Sequence, residues 1–161
     1  EGTGSAAVDP DKLLTLATDI KAQPSWSTWE VPVSVQMGSD PASFDYYQVL
    51  DNPTPVADRF WFLHAKVARQ GDTRSFAWEQ VDAAARYPQE LADVQKRFPD
   101  AVQTRVNVGD WTFSPSGSTT HIRYRICTDA GGSLPRWVGE YAARTTLPTN
   151  LGDIVRAVRS R

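Results

Sequence analysis

Cysteine and histidine are almost missing from this chain. Cys127 is the single cysteine in 161 residues, which excludes an intrachain disulfide framework and any multi-cysteine metal site. His64 and His121 are the only histidines, too few for a multi-histidine metal centre, so neither a metal nor another cofactor is expected. No apolar run approaches the length of a membrane-spanning helix. There is no excess of charge of one sign. Lys and Arg total 17, Asp and Glu 19, and the net charge of -2 provides no electrostatic basis for binding nucleic acid. No repeat or low-complexity segment is present. Hydrophobic residues at 40% and charged residues at 22% exclude a disordered chain, and the length suits one domain spanning residues 1–161.

Leu and Ile are scarce, and rings take their place: 6 Trp, 6 Phe and 5 Tyr. So many rings in a small domain either pack a core or wall an apolar space. The chain starts at Glu1 rather than Met, which reads as a processed or trimmed start. A lone cysteine suits a reducing or an oxidising compartment, so cytoplasmic and exported locations both stay open. Abundant Ala and Arg with little Lys point to a bacterial source.

Residues 1–8 are small and polar and read as a frayed lead-in. Asp9 before Pro10 suits a helix cap with a first-turn proline, and Leu13, Leu14, Leu16 and Ala17 supply an apolar stripe. Period two then takes over. Val31 to Met37 alternates, with Pro32 hinting at a sheet edge. Further strands are expected from Phe44 to Leu50, Arg59 to Arg69, Arg74 to Val81, Val102 to Phe113 and Thr120 to Ile126. Gln70-Gly71-Asp72 is a hairpin turn, and residues 88–98 show helical spacing. Ser133 and Pro135 suit the start of a long C-terminal helix over residues 134–160, with Pro148 expected to kink or reset it. Short links between strands mean antiparallel neighbours. The fold class is therefore α+β, a hairpin-linked antiparallel sheet whose apolar face is covered by the terminal helix.

Two stretches resemble START domains, the StAR-related lipid-transfer family of the helix-grip, Bet v 1-like superfamily. One runs from Tyr47 through Asn52-Pro53-Thr54-Pro55 to Asp58-Arg59; the other runs from Asp129-Ala130-Gly131-Gly132 to Trp137-Val138. The likeness spans roughly residues 8–160. It departs from the family in placing Phe60, not an acid, after Arg59, and in lacking most of the family's N-terminal helix and first strands. In size the chain is closer to the pollen allergens and polyketide cyclases of the wider superfamily. The resemblance implies a curved antiparallel sheet wrapped around a long C-terminal helix, with an internal hydrophobic cavity for a lipid or other hydrophobic small molecule. It implies a binding and carrying role without chemistry, the rival being a helix-grip enzyme (aromatase/cyclase-like or hydrolase) using the same pocket.

A ligand cavity needs apolar walls and a few placed polar groups. Strand parity offers Trp61, Leu63, Phe76, Trp78, Ile122 and Tyr124 as wall with Val106, and Gln80, Thr104 and Thr120 as polar points. Trp137, Tyr141 and Thr145 are added from the terminal helix. Arg59 shares the parity of Trp61, and a buried arginine must be paired. It is read either as an anchor for the ligand's head or as the partner of Asp58, Asp51 or another acid. The tyrosine hydroxyls are read as partners for a ligand oxygen or as satisfied by backbone. His64 reads as a lone half-buried side chain, Cys127 as a buried filler, and residues 83–100 as a lid or a surface helix. Arg136, Arg144, Arg156, Arg159 and Arg161 are a solvated face or a transient contact with an anionic membrane during ligand loading. The protein is expected to be a monomer.

Overall fold

Asp9 opens the first helix. Its Oδ1 accepts from the Asp11 and Lys12 amides at 2.7 and 3.1 Å, and Pro10 occupies the first helical position. This satisfies N–H groups that a first turn leaves unpaired and needs none from the proline. Helix α1 runs over Pro10–Thr18 and buries Leu13, Leu14, Leu16 and Ala17. The structure, a computed structural model, describes residues 1–134 and 136–161, and every side chain among them except those of Arg136 and Ala143. Pro135, expected in the first turn of the terminal helix, lies outside the described residues, as does the Arg136 side chain.

The alternating segments form one sheet. Its strands are β1 (Gly2–Ala6), β2 (Val33–Met37), β3 (Ser43–Leu50), β4 (Arg59–Gln70), β5 (Thr73–Gln80), β6 (Val102–Gln103), β7 (Val106–Ser116) and β8 (Thr119–Asp129). The strand order is β1-β8-β7-β5-β4-β3-β2, antiparallel throughout, with β6 lying parallel to the start of β4. Gly71 (φ 55°) and Gly117 (φ 60°) supply the left-handed backbone that closes the tight β4–β5 and β7–β8 turns. Helices α2 (Ala83–Arg86) and α3 (Pro88–Arg97) follow β5, and α4 (Arg136–Arg159) ends the chain.

The two faces of this curved sheet are covered differently. The inner face carries Phe44, Tyr46, Leu63, Phe76, Trp78, Trp111, Phe113, Ile122 and Tyr124, packed against α1 and against Ile154 and Ala157 of α4. The outer face, at its β2–β4 end, carries Val33, Val49, Phe60 and Phe62, packed against Ala83 of α2 and Val94 of α3. The fold is the α+β helix-grip arrangement expected.

Several local expectations are corrected. Residues 2–6 are not frayed. They form the edge strand β1, which pairs with β8 from Gly2↔Tyr124 to Ala6↔Thr120. Small residues suit this place, since a Cβ on Gly2 would stand 3.0 Å from Leu151 Cδ1 of α4. The strand expected over residues 102–113 is two strands. The break at Thr104–Arg105 changes the parity, so Asn107, Gly109, Trp111 and Phe113 share one face and Val106 and Val108 turn outward. Val106, expected in the ligand wall, is 42% exposed. Residues 83–97 are no lid on the inner face, because α2 and α3 pack on the outer one. Cys127 is exposed on the outer face of β8, which no helix covers there. Finally, α4 runs on through Pro148 as one helix.

Candidate functional site

The inner face is a cross-strand ladder of rings. Register sets Phe76 opposite Trp111, and Trp111 opposite Tyr124. Trp111 and Tyr124 stack at 4.1 Å between centroids, Trp78 and Tyr124 lie 6.0 Å apart, and Phe76 and Trp78 lie 5.6 Å apart. Gly109 makes room for this. A Cβ there would sit 2.4 Å from the Arg125 carbonyl and 2.5 Å from the Trp78 ring, so only glycine lets the indole lie across the strand.

Polar groups on this face are paired with one another, as burial requires. Trp78 Nε1 donates to Asn107 Oδ1 at 3.0 Å. Gln80 and Thr104 bond reciprocally: the amide donates to the Thr104 carbonyl at 2.6 Å, and the Thr104 hydroxyl donates to Gln80 Oε1 at 2.7 Å. Trp61 Nε1 donates to Gln48 Oε1 at 3.1 Å, and Gln48 Nε2 donates to Gln23 Oε1 and Ser34 Oγ. Trp26 Nε1 is different: it is buried and has no acceptor among the described residues.

Arg59 is 5% exposed, and backbone rather than an acid satisfies it. Its Nε donates to the Ala130 carbonyl at 2.8 Å and its Nη2 to Gly131 at 3.3 Å, while Nη1 donates to Ala57 at 2.5 Å and to Asp58 at 3.2 Å. The guanidinium thus straps the 129–132 loop, which leads into α4, to the start of β4. Burial pulls its pKa below the ordinary value, with the Asp58 charge opposing.

Side-chain bonds fasten the second half of α4. Asn150 accepts from Trp29 Nε1 at 2.8 Å and donates to the Tyr124 hydroxyl at 3.1 Å. Asp153, 1% exposed, accepts from the Thr28 amide and hydroxyl and from Arg156. Before Pro148 the picture changes: Trp137 and Tyr141 are each 61% exposed. Burial pushes the Tyr124 hydroxyl up to about 12, the Asn150 hydrogen bond partly opposing.

The residues proposed as ligand wall therefore fall into groups. Leu63, Phe76, Trp78, Ile122 and Tyr124 lie together in the inner-face core, with Trp61 half-buried beside them. Gln80 and Thr104 face each other near the start of β7. Thr120 donates to the Val8 carbonyl at 2.6 Å, and Thr145 to the Tyr141 carbonyl at 2.9 Å within α4. Trp137 and Tyr141 stand in solvent, and Val106 is on the other face. Gln48, Asn107, Asn150 and Asp153 escaped the sequence reading. A signal existed for the last two: they are polar residues set within the helical stripe Leu147, Leu151, Ile154 and Val158.

The surface carries two grooves among others. One, of about 390 Å³, lies between β1 and α4 and is lined by Gly4, Ile122, Leu151, Val155, Arg156 and Arg159 among others. The other, of about 630 Å³, is on the outer face, lined by His64, Lys66, Glu79, Val108, Asp110 and Arg125 among others. No group of His, Cys, Asp and Glu among the described residues could hold a metal ion, and no described helix is long and apolar enough to cross a membrane.

Comparison with solved structures identifies the architecture. A STAR-related lipid transfer protein from Xanthomonas axonopodis superimposes with a TM-score of 0.79 at 18% identity, over 98% of this chain and 83% of that one. Human STARD10 also gives 0.79 at 18% identity, over 97% of this chain and 61% of that one. A START superfamily protein from Mycobacterium smegmatis gives 0.59 at 13% identity, over 99% and 95%. No family model matches the sequence. An uncharacterized protein of Pseudomonas aeruginosa is 26% identical over 140 residues. The match covers 85% of this chain and 63% of that protein, so the chain spans less than two thirds of the relative's length. The fold, over nearly the whole chain, is that of START domains.

Proposed function

We propose that this protein binds, and carries, one lipid or other hydrophobic small molecule between the inner face of its sheet and the first half of α4. The observation that carries this reading is the asymmetry of α4. Beyond Pro148 the helix is fastened at Asn150 and Asp153, whereas Trp137 and Tyr141 before it present large rings to solvent. Pro148 has no N–H, so the carbonyl four residues earlier lacks its helical partner, a natural place for bending. Movement of the first half would open the inner face, and its exposed rings would meet a membrane surface during loading. Binding would draw on apolar area removed from water, at roughly 25 cal/mol per Å² before ordering costs. The unpaired Trp26 indole N–H would favour a guest with an acceptor oxygen nearby.

START-fold neighbours described as lipid-transfer proteins support the same reading. Catalysis in this pocket is less well supported. Arg59 is committed to four carbonyls, and Tyr124, at about 12, is far from the range of an efficient general acid or base at neutral pH.

Native mass spectrometry of gently purified protein, followed by titration with a panel of fatty acids, phospholipids and sterols, tests the proposal. A bound mass or a saturable 1:1 titration supports it. A protein that stays empty throughout overturns it.

A further inference from the structure

On the outer face, three side chains stand in an order that the ligand reading does not use. Asp45 of β3 faces His64 of β4 across the ladder, and Ser43 lies two residues before Asp45 on the same side. His64 Nδ1 lies 2.5 Å from Asp45 Oδ1, and His64 Nε2 lies 3.3 Å from Ser43 Oγ. A carboxylate on Nδ1 holds the imidazole in the tautomer whose Nε2 is bare, so Nε2 accepts the Ser43 hydroxyl proton. Asp45 is itself fixed. It is 5% exposed, and its Oδ2 accepts from the Tyr87 hydroxyl and from Arg86 Nη2 at 2.7 Å. This is the nucleophile, base and orienting-acid arrangement of serine acyl transfer, which is recognised by geometry rather than by fold.

Access and charge also fit. Strand β2 reaches only as far as Met37, opposite Asp45, so Ser43 lies beyond the cover of the edge strand. His64 is half-buried at the rim of the 630 Å³ outer groove. Lys66 sits opposite Ser43 in the β3–β4 ladder and lines the same groove, held only loosely by Glu79 at 3.9 Å.

We infer that Ser43, His64 and Asp45 form an acyl-transfer site for small carboxylic esters, separate from the inner face and independent of the ligand reading above. The groove beside His64 mixes the charges of Lys66, Glu79, Asp110 and Arg125 with the apolar Ala77, Val108 and Ile126, room for a short ester with a small apolar group. Ser43 Oγ attacks the ester carbonyl carbon as its proton passes to His64 Nε2. Lys66, opposite Ser43 in the ladder, would supply charge to the developing oxyanion by swinging its ammonium away from Glu79. The bond to the leaving alcohol breaks, the alcohol takes the proton from His64, and Ser43 carries the acyl group. Water, deprotonated by His64, then releases the carboxylic acid and restores the hydroxyl.

The test is reaction of the full chain with a small alkyl fluorophosphonate and with p-nitrophenyl acetate, read by peptide mass mapping and by nitrophenolate release. A single adduct on Ser43 is expected, absent in Ser43→Ala and formed on the order of a hundredfold more slowly in His64→Gln. Lys66→Met should slow acetate turnover while leaving the fold, followed by circular dichroism, unchanged. No adduct on the wild-type Ser43, or labelling undiminished in a folded His64→Gln protein, would show the three groups to be a structural hydrogen-bond chain and overturn the inference. If His64→Gln does not fold, the wild-type adduct map together with Lys66→Met turnover decides. An adduct on Ser43 with slowed Lys66→Met turnover supports the site, and its absence or unchanged turnover rejects it.

Discussion

Asp153 and Thr28 lie 125 residues apart in sequence and share two hydrogen bonds. The buried carboxylate accepts from both the amide and the hydroxyl of Thr28, each at 2.7 Å. This is the contact that seats the second half of α4 beside the loop following α1. Asp153→Ala would leave the Thr28 amide without its acceptor, at a cost of about 2 kcal/mol for a charge-assisted pair. Urea unfolding should show the midpoint falling with an unchanged slope.

Gly109→Ala is expected to be costlier than its single methyl suggests. The new carbon meets a main-chain oxygen and an indole that is itself held by Asn107, so neither neighbour yields freely. A loss of about 1–3 kcal/mol follows from overpacking, visible as a lower thermal midpoint and a changed near-ultraviolet tryptophan signal.

Trp137→Ala and Tyr141→Ala separate stability from function. Both rings are exposed, so each variant should unfold within about 0.5 kcal/mol of wild type. If the first half of α4 meets membranes, transfer of a fluorescent lipid between vesicles should slow severalfold in the double variant. Unchanged transfer would remove these rings from the mechanism.

Two ionisations contribute at opposite ends of the pH profile. The Asp11 carboxyl is held below its ordinary 3.8, chiefly by its hydrogen bond from Arg74. The stability of that pairing is present above 3.8 and disappears as the pH falls through the lower folded value. The thermal difference between wild type and Asp11→Asn should therefore be small at neutral pH, given the pair's exposure, and vanish in acid. Tyr124 behaves in the opposite sense. Its folded value of about 12 lies above the ordinary 10, so the native state is favoured below pH 10 and loses that advantage as the pH rises toward 12. A Tyr124→Phe protein should show a shallower alkaline decline, the rest coming from the buried Tyr46, which burial also raises.

Trp26→Phe probes the unpaired indole. If a ligand oxygen accepts from it, affinity for an alcohol or ketone ligand should fall by roughly tenfold, while that for a matched hydrocarbon stays level. Equal losses for both would point to packing alone.

The parts of this fold legible in the sequence are those where period and face agree. Trp61, Leu63 and Ala65 alternate with Phe60, Phe62 and His64, and the two sets do lie on opposite faces of β4. Asp9 and Pro10 mark the start of α1 because capping is local chemistry. What was hidden depends on neighbours distant in the chain. Residues 2–6 are strand only because β8 offers a ladder, as their small side chains have no period of their own. Val106 changes face because β6 joins β4 and breaks the run at Thr104–Arg105. His64 looks solitary until register sets it against Asp45, 19 residues away. Arg59 invites an acidic partner, and nothing in its flanks reveals that a loop 71 residues on will supply carbonyls instead.

That last arrangement carries an evolutionary corollary. Because the guanidinium reads only peptide oxygens, the side chain at 130 can drift without undoing the knot, provided Asp129 keeps its bond to the Gly131 amide and the glycines keep the φ of about +65° that turns the chain there. Arg59 has no such licence: a lysine would bring a single head, lacking the flat fork that reaches both sides of the junction at once.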